Sequence, residues 1–392
     1  MSGMQVSKVS GFADKALDRL RRHEAVYSAL KRSRDQARKC FVGGVRRIAP
    51  QKSYRFGPPK GLYSEYELVK KGLVPGRIVF ESQTCPPLKP DSLRKLCNLH
   101  QDEHQPWPCF WSHRKDVRLV GPSLAPLDER KRLCQEAIFS AHCIDFDPSN
   151  RYLRLPPPVR LPGNWTSITS AWSEGFYEWW LDALTRLALL AEFPADTRIL
   201  VPGRLQPWQV ESLQLLGLYG RVRPAPKRHL LLENYFFSSP SSMTGCWNPY
   251  GIDWLRQRFL RHADPDWQAP RRTFIHRIGK RRGLVNETEV LEFFKGLGWS
   301  IVDPETLTVR QQIKLFSEAD MLCGLHGGAF VNTLWCKPGC RILELCTNNH
   351  LNGVYEGVAE HLGLSHRYLV YKGDGLRFIT VSIDQLKQAL SA

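Results

Sequence analysis

Residues 320–345 constrain the fold of this chain more than any other stretch: Asp-Met-Leu-Cys-Gly-Leu-His-Gly-Gly-Ala-Phe-Val-Asn-Thr-Leu-Trp-Cys-Lys-Pro-Gly-Cys-Arg-Ile-Leu-Glu-Leu. They read as a strand over 320–324, a turn at His326-Gly327-Gly328, a short helix over 329–334, a stop at Pro338-Gly339 and an apolar strand over 341–345. Two strands joined through a helix must pair in parallel, and a parallel strand buried on both faces is apolar throughout. The turn sets unpaired backbone N–H groups and the positive end of a helix dipole beside almost bare backbone, an arrangement suited to an anion such as phosphate.

The same alternation recurs from residue 167 onward. Helices are expected over 174–193, 207–216, 252–262, 287–297, 308–318, 353–362 and 384–391, with strands over 198–201, 273–276, 299–302 and 368–370. Such a pattern implies α/β layers with parallel, doubly wound sheets. Residues 61–165 read as proline-rich and irregular, with short strand candidates at 77–80, 117–120 and 152–155 and a boundary at Pro156-Pro157-Pro158. The Ser/Pro/Gly-rich stretch 238–251 reads as an interdomain linker. A length of 392 residues with 42% apolar composition suits two such domains, 61–245 and 246–392.

Charge sets the first 60 residues apart. They hold 15 Lys/Arg against 4 Asp/Glu, a net +11 of the chain's +17. Phe12, Ala16, Leu20, Tyr27 and Leu30 fall near helical spacing among the basic residues, so 1–60 reads as a basic, partly helical extension. It suits an anionic membrane surface or a polyanion, or packs as a solvated helix on the next domain. No named nucleic-acid module is present, so nucleic acid is an unfavoured partner. With no apolar export segment and no run of about 20 apolar residues, the expected location is the cytoplasm, peripheral to the inner membrane face. Eleven scattered cysteines are then expected as thiols. Cys336, Cys340, Cys346 and His350 do not read as a zinc site: strand 341–345 would hold Cys340 and Cys346 about 20 Å apart.

Two other constellations carry chemistry. Arg277, Lys280, Arg281 and Arg282 follow a strand and precede a helix whose cap is Asn286, with Glu287 in its first turn. Arginines there suit bidentate phosphate recognition; the alternative is a solvated basic loop. In the helix over 174–193, Glu178, Asp182 and Arg186 stand at i, i+4 and i+8 on one face. That row is either a surface ion-pair ladder or the seat of a general base.

The turn at His326-Gly327-Gly328 with Asn332, Pro338-Gly339 and Glu344 resembles the His-Gly-Ala-Gly-Leu-Thr-Asn…Pro-Gly…Glu-Leu signature of glycosyltransferase family 61. Arg277, Arg282 and Asn286-Glu287 resemble its arginine motif, and Tyr177, Trp179, Asp182, Arg186 and Leu187 its Tyr-Tyr-His-Trp-Leu-Leu-Asp-x-Leu-Pro-Arg-Leu segment. Glu178 stands where that family usually has histidine. The resemblance implies a GT-B architecture, two Rossmann-like domains facing across a cleft. It implies transfer of a hexosyl or pentosyl group from a nucleotide sugar, commonly a UDP-sugar, with inversion and with no metal or other cofactor required. Arg277, Arg282, Gly327 and Gly328 would hold the diphosphate, His326 would contact it or the sugar, and Asn332 would brace the turn. Glu344 would meet the ribose, and Glu178, or failing that Asp182, would be the base. The acceptor is expected to be a glycan or lipid-linked saccharide in capsule or lipopolysaccharide assembly. The rival readings are a nucleotide-sugar or glycan binder without turnover and a basic nucleic-acid-binding protein.

Overall fold

The computed structural model describes residues 61–81, 108–138, 155–170, 172–240, 247–277, 282–348, 353–373 and 378–391. The basic extension, Lys280, Arg281 and residues 152–154 of the strand expected over 152–155 lie outside the described residues. Everything described belongs to one compact unit.

Its strands sort into two main sheets. The first has nine: β1 (Gly61–Tyr63), β2 (Gly76–Phe80), β3 (Cys109–Val120), β4 (Ala125–Leu127), β5 (Arg132–Cys134), β6 (Val159–Ser167), β7 (Arg198–Val201), β8 (Val222–Pro224) and β9 (His229–Ser238). They run β1-β5-β4-β3-β9-β6-β7-β8, with β2 also on β3. The sheet is mixed. The hairpins around β3 and the β3–β9 pair are antiparallel, whereas β6, β7, β8 and β9 pair in parallel. The described residues between 61 and 165 are thus not the irregular region their prolines suggested. Several described prolines stand at strand starts or at a bulge, where a missing N–H costs no ladder bond: Pro75, Pro108 and Pro156-Pro157-Pro158 directly precede β2, β3 and β6, and Pro162 lies where the β6–β9 register shifts.

Later strands are β10 (Arg272–Ile275), β11 (Gly283–Leu284), β12 (Ser300–Val302), β13 (Met321–Leu325), β14 (Arg341–Thr347), β15 (Ser365–Tyr371) and β16 (Phe378–Ile379). Five of them form a wholly parallel sheet ordered β12-β10-β13-β14-β15, while β11 pairs only with β16. In chain order this is 2-1-3-4-5, a doubly wound arrangement whose strand order reverses between β10 and β13. That pair is close: a Cβ on Gly324 would lie 2.8 Å from the carbonyl oxygen of Ile275. Beyond residue 286 the α-helices fall close to where the periodicity predicts. Helix Val309–Glu318 opens with a Thr308/Gln311 capping box and buries Val309, Ile313, Leu315 and Phe316. No described helix is long and apolar enough to cross a membrane, and all six described cysteines are free and buried.

Two expectations change. The 238–251 linker ends earlier than composition suggested, because Asn248 caps a helix over Pro249–Phe259. The long helix over 174–193 is instead an α turn (Phe176–Glu178), a π-helical stretch (Trp179–Ala183) and a 3-10 stretch (Leu184–Glu192). Thr185 Oγ1 donates to the Leu181 carbonyl at 2.6 Å and Arg186 Nε to that of Asp182 at 3.0 Å. Side chains that bond back to carbonyls four residues earlier compete with the regular ladder and bend it. Trp179 and Trp180 are buried on this wound segment, Trp180 edge-on to Phe259 and Trp335.

Candidate active site

Ligands of doubly wound sheets sit beyond the strand carboxyl ends where the order reverses. Here that point lies after β10 and β13, the strands that deliver Arg277 and the glycine turn. His326 N–H donates to the Leu345 carbonyl at 2.9 Å, keeping the chain on the sheet until the turn begins. A 3-10 helix then runs Gly328–Trp335. Arg277 lies across the turn, Nη1 donating to the His326 carbonyl at 3.2 Å. Gly327 is required by that approach, since a Cβ there would occupy the place of the Arg277 guanidinium. Burial draws the Arg277 pKa down, and the charges of Tyr355, Glu305 and Asp303 oppose that; a guanidinium stays cationic even so.

The wound segment meets the turn directly. A Cβ placed on Gly328 would lie 3.7 Å from the Tyr177 amide nitrogen and 4.0 Å from the Phe176 Cβ. Glu178 follows in the same turn of helix. Burial raises its pKa, while its own amide and the Arg282 cation pull the other way. Its carboxylate folds back towards Gly175, where a Cβ would strike it. Tyr355 closes the group from the helix Val354–Leu362: its hydroxyl donates to the Gly327 carbonyl at 2.9 Å, and its ring sits 5.6 Å from His326 and 6.1 Å from Tyr177. Burial pushes the Tyr355 hydroxyl well up, Glu344 and Glu178 add to this, and Arg282 and Arg277 oppose it. These side chains therefore share one electrostatic neighbourhood. Beside them opens a cavity of about 700 Å3, lined among others by Arg277, Gly328, Phe176, Trp208, Asp303 and Glu305.

The structure thus brings Glu178, Arg277, Arg282, His326, Gly327 and Gly328 together, and sets the other expected site residues behind them. Asn332 is buried and braces the turn, Nδ2 donating to Gln312 at 2.8 Å and Oδ1 accepting from Trp335 Nε1 at 3.0 Å. Asn286 holds the N-cap position of the helix Glu287–Gly296 without a capping bond. Its side chain instead clamps Val381, donating to its carbonyl and accepting from its amide, both at 2.9 Å. Asn286 thus ties that helix to the C-terminal segment. Asp182 is fully buried in the π-helical stretch beneath Arg186, itself 2% exposed, so the expected surface ladder is absent there. Glu344 lies within β14 rather than at its end, 0% exposed, and its two oxygens face His326 and His366. That placement replaces a contact with a ribose. Neither Tyr355 nor His366 stood out in the sequence; the β14–β15 register, which pairs Ile342 with His366, is the signal that would have found the second.

Residues 176–343 match the family Glycosyltransferase 61. Over that segment the chain is similar to glycosyltransferase family 61. The segment spans the wound helix, the arginines, the cavity wall and the glycine turn, and ends within β14. No curated protein matches the chain. A glycosyltransferase joins a donor to an acceptor, and the cations, turn dipoles and carboxylate described above are the groups such a reaction needs. His326, Glu344 and Cys346 are the described residues whose donor atoms come near enough together for a metal ion to be considered.

Proposed function

We propose that the protein transfers a sugar from a nucleotide donor, a UDP-sugar, to a hydroxyl of a glycan or lipid-linked acceptor, with inversion and without a metal. The two sheets would then serve as facing donor and acceptor halves of a GT-B enzyme, divided near residue 245. The observation that carries this reading is the convergence of Glu178, Arg277 and Arg282 on the Gly327-Gly328 turn, at the reversal point of the parallel sheet.

Glu178 takes the proton of the acceptor hydroxyl. The hydroxyl oxygen attacks the anomeric carbon from the face opposite the diphosphate, and the bond to the departing oxygen breaks with its electron pair. Arg277, Arg282 and the N–H groups of the turn offset the charge that grows on the diphosphate. A carboxyl whose pKa is raised by burial is a stronger base than a free glutamate, and that suits it to the first step. The fold-back of Glu178 onto Gly175 favours one second reading, a nucleotide-sugar binder without turnover, because a carboxylate held at its own helix start is withheld from an acceptor.

A thermal-shift screen with UDP, GDP, CMP, dTDP and their sugars tests the donor. A rise with uridine nucleotides that is lost in Arg282→Ala supports the reading, and no rise with any nucleotide sinks it. Turnover of the same sugar separates enzyme from binder. Surface-polysaccharide acceptors and an anionic membrane contact through residues 1–60 are part of the proposal. Liposome sedimentation with and without those residues checks the latter, and equal binding to neutral and anionic vesicles counts against it.

A further inference from the structure

Behind the turn lies a buried chain of three side chains that the transfer step does not use directly. Glu344 presents Oε1 to His326 Nδ1 at 2.5 Å and Oε2 to His366 Nε2 at 3.0 Å. Parallel register explains why they meet. Gly324 pairs with Glu344 and Ile342 with His366, and alternate residues of a strand share a face, so β14 and β15 turn Glu344 and His366 to the same side as the turn after β13. Glu344 is 0% exposed and His326 4%. The flanking histidines hold the Glu344 carboxyl down at about 2 against the opposing effect of burial.

An ionised carboxylate only accepts hydrogen bonds. Both histidines must therefore donate to it, His326 through Nδ1–H and His366 through Nε2–H. The Nδ1 of His366 is buried and has no hydrogen-bond partner among the described residues. A proton there would be a buried donor with nothing to meet, so of the two tautomers the site accommodates Nε2–H. The ring is packed edge-on against Tyr368, 4.4 Å between centroids, which fixes its plane. We infer that His366 is a positioning residue: through Glu344 it locks His326 as the Nδ1–H donor, which leaves the opposite nitrogen, Nε2, as a hydrogen-bond acceptor for a hydroxyl of the donor sugar beside the Gly327-Gly328 turn. The last clause rests on the proposed function; the locking of His326 does not. His366 lies beyond the segment that matches the family.

A metal held by His326, Glu344 and Cys346 is the competing account. Two ligand atoms about 2.0 Å from one tetrahedral zinc stand roughly 3.3 Å apart. His326 Nδ1 and Glu344 Oε1 lie closer together than that, as hydrogen-bond partners do.

The test uses the full chain labelled with 15N-histidine, free of ligand, with the imidazole correlations assigned in His326→Gln and His366→Gln. His326 is expected as the Nδ1–H tautomer with a far-downfield proton, and His366 as Nε2–H. In His366→Phe the downfield proton should weaken or vanish and His326 should mix tautomers. In His366→Gln, whose amide can still donate to Glu344, it should persist. With a donor in hand, His366→Phe should lower kcat roughly 10- to 100-fold, the loss typical when the partner orienting an imidazole is removed. Donor Kd should change less, and His366→Gln should recover most of the rate. His326 found as the Nε2–H tautomer in the wild-type protein overturns the inference, as does one zinc per chain in the protein as purified. If His366→Phe does not fold, the wild-type spectrum decides alone. If no nucleotide sugar binds while His326 is Nδ1–H, the proposed function fails and the locking stands.

Discussion

The five-stranded and nine-stranded sheets supply the site with opposite kinds of group, held in opposite ways. The parallel sheet gives positive charge and dipoles: Arg277 after β10, and the turn after β13 with its helix start. Strands buried on both faces fix those positions, and every residue of β13 is buried. The mixed sheet gives the carboxylate, and it does so from a departure from regularity. Glu178 ends one α turn and hands over to a π-helical stretch, a local form often found at functional positions. Under the proposed function, anion binding is built into the backbone of one region, while the base depends on how a short segment of the other is wound. Changes to the second region should alter turnover while leaving donor affinity, whereas loss of an arginine of the first should weaken donor binding.

The largest separation is expected from Glu178→Gln. Loss of a general base costs roughly 10²- to 10⁴-fold in rate, while the shape of the segment and the donor side stay intact. Turnover assays paired with donor titration measure the split. Full activity in the variant would remove Glu178 from the chemistry and break the comparison at its centre. The base must be ionised to act, and burial raises its pKa. The acid limb of kcat/KM should therefore lie above the pH at which an ordinary glutamate titrates, and activity should rise through it with pH.

Next in size are the arginines. Arg277→Ala should weaken donor binding by roughly 10- to 100-fold, since a hydrogen bond to a charged group contributes about 1.5–3 kcal/mol. Calorimetry with the diphosphate alone checks it. Arg277→Lys should recover little, because an ammonium cannot both reach the His326 carbonyl and offer a planar fork. Donor affinity unchanged in Arg277→Ala would place the anion elsewhere.

Much of this geometry could be read from residue order, and the reason lies in the parallel sheet. Its strands are apolar runs separated by helical periods, so both the β13–turn–β14 unit and the place of Arg277 follow from pattern alone. The mixed sheet hides its order. Its longest pairing joins β3 to β9, strands more than a hundred residues apart, and no local pattern encodes that contact. The winding of 176–192 was also illegible, since Glu178, Asp182 and Arg186 have regular helical spacing. Only packing shows that Asp182 and Arg186 turn inward and that side chains bond back on the carbonyls. Glu344 was visible as a strand residue next to the signature. What it touches depends on the neighbour strand β15, so its role with His366 was not.

A smaller effect should follow from Gly327→Ala. The added methyl group would take the place of the Arg277 guanidinium, and φ at this residue is 168°, extended backbone that alanine tolerates. The fold should survive with Arg277 displaced, and donor affinity should fall by less than in Arg277→Ala because the guanidinium can still swing within the cavity. A loss as large as that of the arginine variant would mean that the turn itself, rather than the arginine, holds the anion.

The smallest expected effect has the opposite sign from the others. The folded-state pKa of Glu178 is raised above its unfolded value, chiefly by burial. Its favourable contribution is therefore complete below the unfolded pKa, about 4.3 for a free glutamate, and is lost as pH rises through the folded value. At neutral pH the buried charge costs stability, only partly offset by Arg282 and the helix start. Glu178→Gln should then melt roughly 1 °C above the wild type at neutral pH, about what 1 kcal/mol does in a chain of this size. The gap should close as the pH is lowered towards 4, where the wild-type carboxyl is also neutral. Melting curves of the two proteins across that range check it. A variant that gains stability as it loses turnover would show that the wound segment holds its base at a cost to the fold, in contrast to the arginines across the cavity. A variant that is less stable at neutral pH would mean that Glu178 serves its helix as a cap before it serves an acceptor.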